Sequence, residues 1–269
     1  MSRAGVALVR SFGGPFRSAI PQRGGVRGWL SVTSRAPALL LMVGVSACLT
    51  GCPNPNLYQT ARTTPKGKLS YSVAAEALGF QAETSVEDSS GNVSTETTSH
   101  SVPLPPTFML RYGLSDELDF GFHAYNFASP GVDLKYNFLK DAVDLAIDPG
   151  VQVFRASAGD EDFTVVYGHL PLILDLNFSS SISMVLAPGV TYARSSIDHS
   201  SDTIFTDVNS NSGFIARAGI GFDFRVSDGF AVHPEVTFLR ALDDTNWTTY
   251  VAGIGFNFGK LPSFKDLEQ

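Results

Sequence analysis

The sequence predicts an all-β fold: a single antiparallel up-and-down transmembrane β-barrel of about 10 strands. Three observations predict it. From Lys68 onward apolar residues recur with period two, and no convincing amphipathic helix intervenes. Connections alternate between tight polar turns and longer polar loops. The face opposite the apolar one carries more charge than a dry core could hold unless it were paired.

The strands are read in order at 68–87, 92–113, 117–127, 131–140, 143–156, 163–178, 181–194, 213–226, 229–240 and 247–258. In LDFGFHAY, Leu118, Phe120, Phe122 and Ala124 share one face, and Asp119, Gly121, His123 and Tyr125 the other. VDLKYNF sets Val132, Leu134, Tyr136 and Phe138 against Asp133, Lys135 and Asn137. From Val143 to Val153 the apolar set is Val143, Leu145, Ile147, Val151 and Val153, against Asp144, Asp148 and Gln152. Short turns follow the even strands, near Ser115, Asp141, Ser180 and Asp228. The longest loops are Glu83–His100 and Ser195–Ser212. The first, with SSGN between β-branched stretches, is expected to project as a hairpin. An even strand count puts both ends of the barrel chain on the short-turn side.

The segments RYGLSDELDFGFHAYNF and VDLKYNFLKDAVDLAIDPGVQV resemble those of small bacterial outer-membrane β-barrel proteins. The resemblance is one of architecture over about 68–258 and implies that the short-turn side is periplasmic. Outward aromatics Tyr112, Phe138, Phe178, Phe224 and Phe258 end the even strands as a girdle would. A soluble sandwich or lipocalin with core aromatics is the competing reading. At the opposite rim Arg155, Arg194 and Arg240 point outward. Two compatible roles are open to them: snorkelling at the interface and contact with lipopolysaccharide phosphates. The inward face is expected to hold a polar network of Glu76, Arg111, Asp119, Asp133, Lys135, Asp144, Asp148, Asp175, Arg217, Asp223, Arg225 and Glu235, with His123, His169 and His233. Barrels of about 8–10 strands are largely filled by side chains, so a plugged, ion-paired lumen is expected over an open pore.

The first 35 residues hold six arginines and no acid, and APALLLMVGVSAC follows. That run is shorter than the roughly 20 apolar residues of a spanning helix. A basic region, a short apolar region and a small-residue site describe a secretory signal. The site LTGC, ending at Cys52, resembles the lipobox of bacterial lipoproteins, which implies cleavage before Cys52 and lipid on it. Pro53 in the next position implies transfer to the outer membrane. The expected organisation is a signal peptide at 1–51, a lipidated periplasmic tether at 52–67, the barrel at 68–258 and a periplasmic tail at 259–269. All 26 acids lie after Cys52, beside 13 basic residues, for a net charge of −13. No basic patch exists to bind nucleic acid.

Catalytic and metal motifs are absent from the sequence: no HExxH, GxSxG, P-loop or cysteine–histidine cluster. No cofactor or metal is expected and the chain is read as a non-enzyme. A rim protease built from His169 with Asp160, Glu161 and Asp162 lacks a second acid pair. The loop acids, including Glu83, Glu87, Asp198 and Asp243, have no EF-hand spacing and read as a solvated surface.

The stretches AGIGFDF and AGIGFNF, at Ala218–Phe224 and Ala252–Phe258, read as the ends of the eighth and tenth strands. Their glycines face inward and leave room there. The second copy resembles the terminal signal read by the barrel-assembly machinery, which is the expected partner during biogenesis. The expected function is a lipidated outer-membrane barrel with a structural or surface-interaction role, in contact with outer-membrane lipid. A narrow channel for ions or small solutes is the first alternative. A lipid-anchored soluble barrel binding an apolar ligand is the second.

Overall fold

The computed structural model describes residues 54–87, 93–125, 129–158, 161–199, 209–242 and 247–268. The signal segment and Cys52 lie outside these described residues. Eleven strands form one closed antiparallel sheet: β1 (Leu69–Glu87), β2 (Val93–Gly113), β3 (Leu118–Tyr125), β4 (Ser129–Leu139), β5 (Val143–Ile147), β6 (Gly150–Ala158), β7 (Glu161–Ser179), β8 (Ile182–His199), β9 (Asn209–Ser227), β10 (Phe230–Ala241) and β11 (Trp247–Gly259). Apart from β5 and β6, neighbours in sequence pair with one another, and β1 closes on β11 from Ser70↔Gly259 to Ala82↔Trp247.

β5 and β6 share one place in the ring, between β4 and β7, so this is the predicted ten-stranded barrel with one strand broken. The break falls at Asp148–Pro149. Proline has no N–H to give to the ladder, so the pairing lapses there and resumes at Gly150. Alternation survives the gap: Asp148 and Gln152 are buried while Pro149, Val151 and Val153 are exposed.

The apolar face is outside. Phe120, Phe122, Leu134, Leu170, Phe222, Phe224 and Ile254 are all exposed large hydrophobics. The five girdle aromatics stand outside at the short-turn rim, where Phe258 lies between Tyr71 and Phe230, with ring centroids 5.3 and 5.2 Å away. On β10 the outward row runs from Phe230 to Arg240, about the length of a transmembrane strand. Beyond that band, β1 and β2 stay paired out to Glu87↔Val93, and β8 and β9 reach His199 and Asn209. Much of the two stretches expected as loops is therefore strand.

The inside differs from expectation in one respect. The inward face was expected to mix glycine, small polar residues and charge. It also carries Leu78, Phe154, Val165, Tyr167, Leu239 and Val251, all buried. These fill the lumen toward the long-loop rim, where Phe154, Val165 and Tyr167 form one cluster. Charge is concentrated in the other half.

Candidate functional site: the lumen and the segment inside it

The chain's own residues 54–64 lie in the polar half of the lumen. The sequence reading places them in a periplasmic tether. They are instead buried throughout, inside the barrel. The physical reason is complementarity. The wall carries more acids than bases, and the segment brings main-chain N–H groups and the side chains of Asn54, Tyr58, Gln59 and Arg62 to meet them.

The path is readable from the partners. The chain leaves β1 backwards through Lys66, which bridges to Gly113 at the short-turn rim. Gly113 is required there: a Cβ would strike the carbonyl oxygens of Thr64 and Pro65 as they cross it. Thr64 donates its N–H to Asp119 at 2.8 Å and its hydroxyl meets Ser70. Arg62 pairs with Asp144 at 2.7 Å, both nearly inaccessible. The Ala61 N–H reaches Asp175 at 2.7 Å. Gln59 donates to Asp148, and Lys135 donates to Gln59 and to the Thr60 and Arg62 carbonyls. Leu57 and Tyr58 both give their N–H groups to Glu235. Asn54 reaches Glu76 and Thr107 at 2.7 and 3.1 Å. Asp119 and Asp144 are second in their strands, Glu235 sixth and Glu76 eighth. The segment thus climbs from the short-turn rim toward the middle of the barrel.

Three side chains lock it sideways. Leu57 and Ala61 pack on a small apolar patch of the wall, Ala146, Ile173, Val185 and Ala187. Across the lumen Tyr58 lies against Gly253 and Gly255 of β11. A Cβ at Gly255 would sit 2.7 Å from the Tyr58 Cβ, and one at Gly253 would meet its hydroxyl. Tyr58 donates to Glu76 at 2.8 Å and holds φ at 49°. That left-handed conformation costs a non-glycine residue about 1–3 kcal/mol and persists only where surroundings impose it.

All twelve predicted network residues face the lumen, and most are joined directly. Arg111 bridges Asp119 at 2.6 Å, Asp133 at 2.7 Å and Asp148 at 3.4 Å. Lys135 stands 3.5 Å from Asp119. Asp133 also takes His123 as a close partner. On the opposite wall Asp223 meets Arg225 at 2.9 Å and His233 at 3.3 Å. Arg217 donates to the Pro55 carbonyl, so its partner is the segment. The wall alone holds eight acids against four arginines and lysines, an imbalance visible in the sequence. That excess was the one signal that something else should occupy the lumen.

The C-terminal tail finishes the short-turn mouth. Phe264 is buried between two guanidiniums, with Arg225 at 3.0 Å and Arg62 at 4.3 Å from its ring. A short 3-10 turn at Lys265–Glu268 brings Asp266 to Arg62 at 2.6 Å. The hydrogen bond from Arg62 holds the Asp266 carboxyl below the usual carboxylate range.

At the other rim Arg155, Arg194 and Arg240 are exposed and point outward, and Arg155 meets Asp162 at 2.9 Å. His169 does not join a protease-like set. It lies inside, contacting Thr191 and Gln152 at 3.0 and 3.2 Å, while Asp162 stands at the rim with Arg155. Asp160 and the side chains of Glu161 and the loop acids lie outside the described residues. Among the described residues no group of three or more metal-binding side chains converges.

No family model matches the chain, and no curated protein matches it. Solved structures do. Ail, the attachment invasion locus protein of Yersinia pestis, is 15% identical over 71% of this chain and 99% of its own, with TM-score 0.34. Neisserial surface protein A is 13% identical over 70% and 96%, with TM-score 0.36. The outer-membrane protease OmpT of Escherichia coli is 7% identical over 78% and 99%, with TM-score 0.45. All three are bacterial outer-membrane β-barrels.

Proposed function

We propose that this chain is an outer-membrane β-barrel lipoprotein with a structural or surface-interaction role, its lumen closed while residues 54–64 lie inside it, and lipidated at Cys52 in molecules where they do not. The observation that carries the closed lumen is the burial of residues 54–64 across the charged half of the barrel. The apolar side chains of the other half support it. The outward apolar band and its aromatic rim support membrane residence. The exposure of Arg155, Arg194 and Arg240 at the long-loop rim supports contact with outer-leaflet phosphates, snorkelling being compatible with it.

The test is conductance. Full-length protein in planar bilayers is expected to pass no steady current, and a variant lacking residues 54–64 that also carries Phe154→Ala and Tyr167→Ala in the other half to pass current favouring cations. Steady current through the full-length protein would sink the closed reading and favour the narrow channel. The acid excess of the wall favours that second reading wherever the segment is absent. A soluble barrel holding an apolar ligand needs its continuous apolar face inside, and here that face is outside.

A further inference from the structure

We propose that the inner wall of the barrel is a binding site for extended polypeptide, read through its main chain, and that residues 54–64 are the ligand it carries in cis. The inference goes beyond a closed lumen: it makes the closure a separable ligand.

The wall recognises the segment mostly through atoms that every polypeptide has. Carboxylates of Glu235, Asp175 and Asp119 accept the N–H groups of Leu57, Tyr58, Ala61 and Thr64. Arg217, Asn257 and Lys135 donate to the carbonyls of Pro55, Tyr58, Thr60 and Arg62. None of these contacts extends the sheet; each comes from a wall side chain reaching into the lumen. Side chains are read as well: Asn54 at Glu76, Tyr58 in the notch over Gly253 and Gly255, and Arg62 at Asp144, spaced by four residues, with Gln59 at Asp148 and Leu57 and Ala61 on the apolar patch between them.

The site is built without the segment. Arg111 holds Asp119 from within the wall, Thr237 holds Glu235, and Thr107 holds Glu76. The notch is a property of two glycines. The joint to the barrel is slight: Lys66, Gly67 and Lys68 are exposed at the rim, and Gly67 has φ +70°. An emptied wall keeps its acid excess, so the fitting occupant is an extended chain with a cation four residues after an aromatic.

The test uses the full chain with a site-specific protease sequence inserted between Lys66 and Gly67. The folded barrel is cut in detergent and passed over a sizing column. A fluorescent peptide, NPNLYQTARTTP, is then added and its anisotropy read. The proposal expects the cut segment to travel with the barrel, or to leave and be replaced by the labelled peptide. In either case a peptide with alanine for its tyrosine and arginine binds about tenfold more weakly, or worse. Three outcomes overturn it. The segment leaves and no peptide binds, a scrambled peptide binds equally, or the barrel loses its heat-modifiable gel band on cutting.

Discussion

Gly255 shows how much a missing side chain does here. It stands on β11 with the Tyr58 Cβ where its own would be. Gly255→Leu is expected to push Tyr58 out of its notch and destabilise the folded protein by about 1–3 kcal/mol, the usual cost of overpacking. A lowered midpoint for the heat-modifiable shift checks it, and an unchanged midpoint would mean Tyr58 does not occupy the notch. Arg62 tests the opposite kind of contact. Arg62→Ala leaves the fully buried Asp144 without its cation, held only by the Asn177 amide and the Asp141 N–H, and the loss of one partner of such a pair costs about 3 kcal/mol. Double Arg62→Ala/Asp144→Ala should recover part of that cost; no recovery would show that the two do not act as a pair. The role of Gly253 and Gly255 was half legible in the sequence. Alternation put them inside, but nothing in AGIGFNF says that a tyrosine from 200 residues earlier needs the space.

At the scale of elements, strands were legible and the inner segment was not, for one reason. A strand buried on one face repeats every two residues, so LDFGFHAY declares both of its faces. Residues 54–64 are held from all sides by separate side chains, and no alternation of apolar and polar residues survives that arrangement. The strand break at Pro149 was legible in principle, because proline inside a strand removes a ladder donor. The C-terminal turn gives this scale its prediction. Arg62 depresses the Asp266 carboxyl, so the pair's stabilisation is complete above the unfolded value near 4 and is lost as pH falls through the lower folded one. The difference in melting midpoint between wild type and Asp266→Asn should be constant from pH 7 to about pH 5 and shrink at lower pH. A difference that grows on acidification would contradict the pairing. Asp266 is half exposed, so the whole difference should be small.

For the whole molecule, the lumen and the lipid make claims on the same end of the chain. Asn54 binds at the level of Glu76, six residues up β1 from Ser70, or about 20 Å along the strand. Cys52 precedes it by two residues, about 7 Å of extended chain. A lipid on Cys52 in the periplasmic leaflet therefore requires residues 54–64 to leave the lumen. The cysteine pair Asn54→Cys/Thr107→Cys reports occupancy, since the wild-type side chains touch at 3.1 Å. Molecules shown by mass spectrometry to carry lipid should fail to form that disulfide, and Cys52→Ala protein should form it. Lipidated and cross-linked molecules together would place the lipid at the outer face instead. The closure of β1 on β11 adds a matter of order. Residues 54–64, made before any strand, lie inside a ring that is sealed by the last strand to be made. Until that seam forms, the segment enters from the side; afterwards it must thread the mouth beside Phe264. Assembly is thus a race between a short peptide finding its bed and a gate swinging shut, and delaying β11 should lengthen the time in which the race is won.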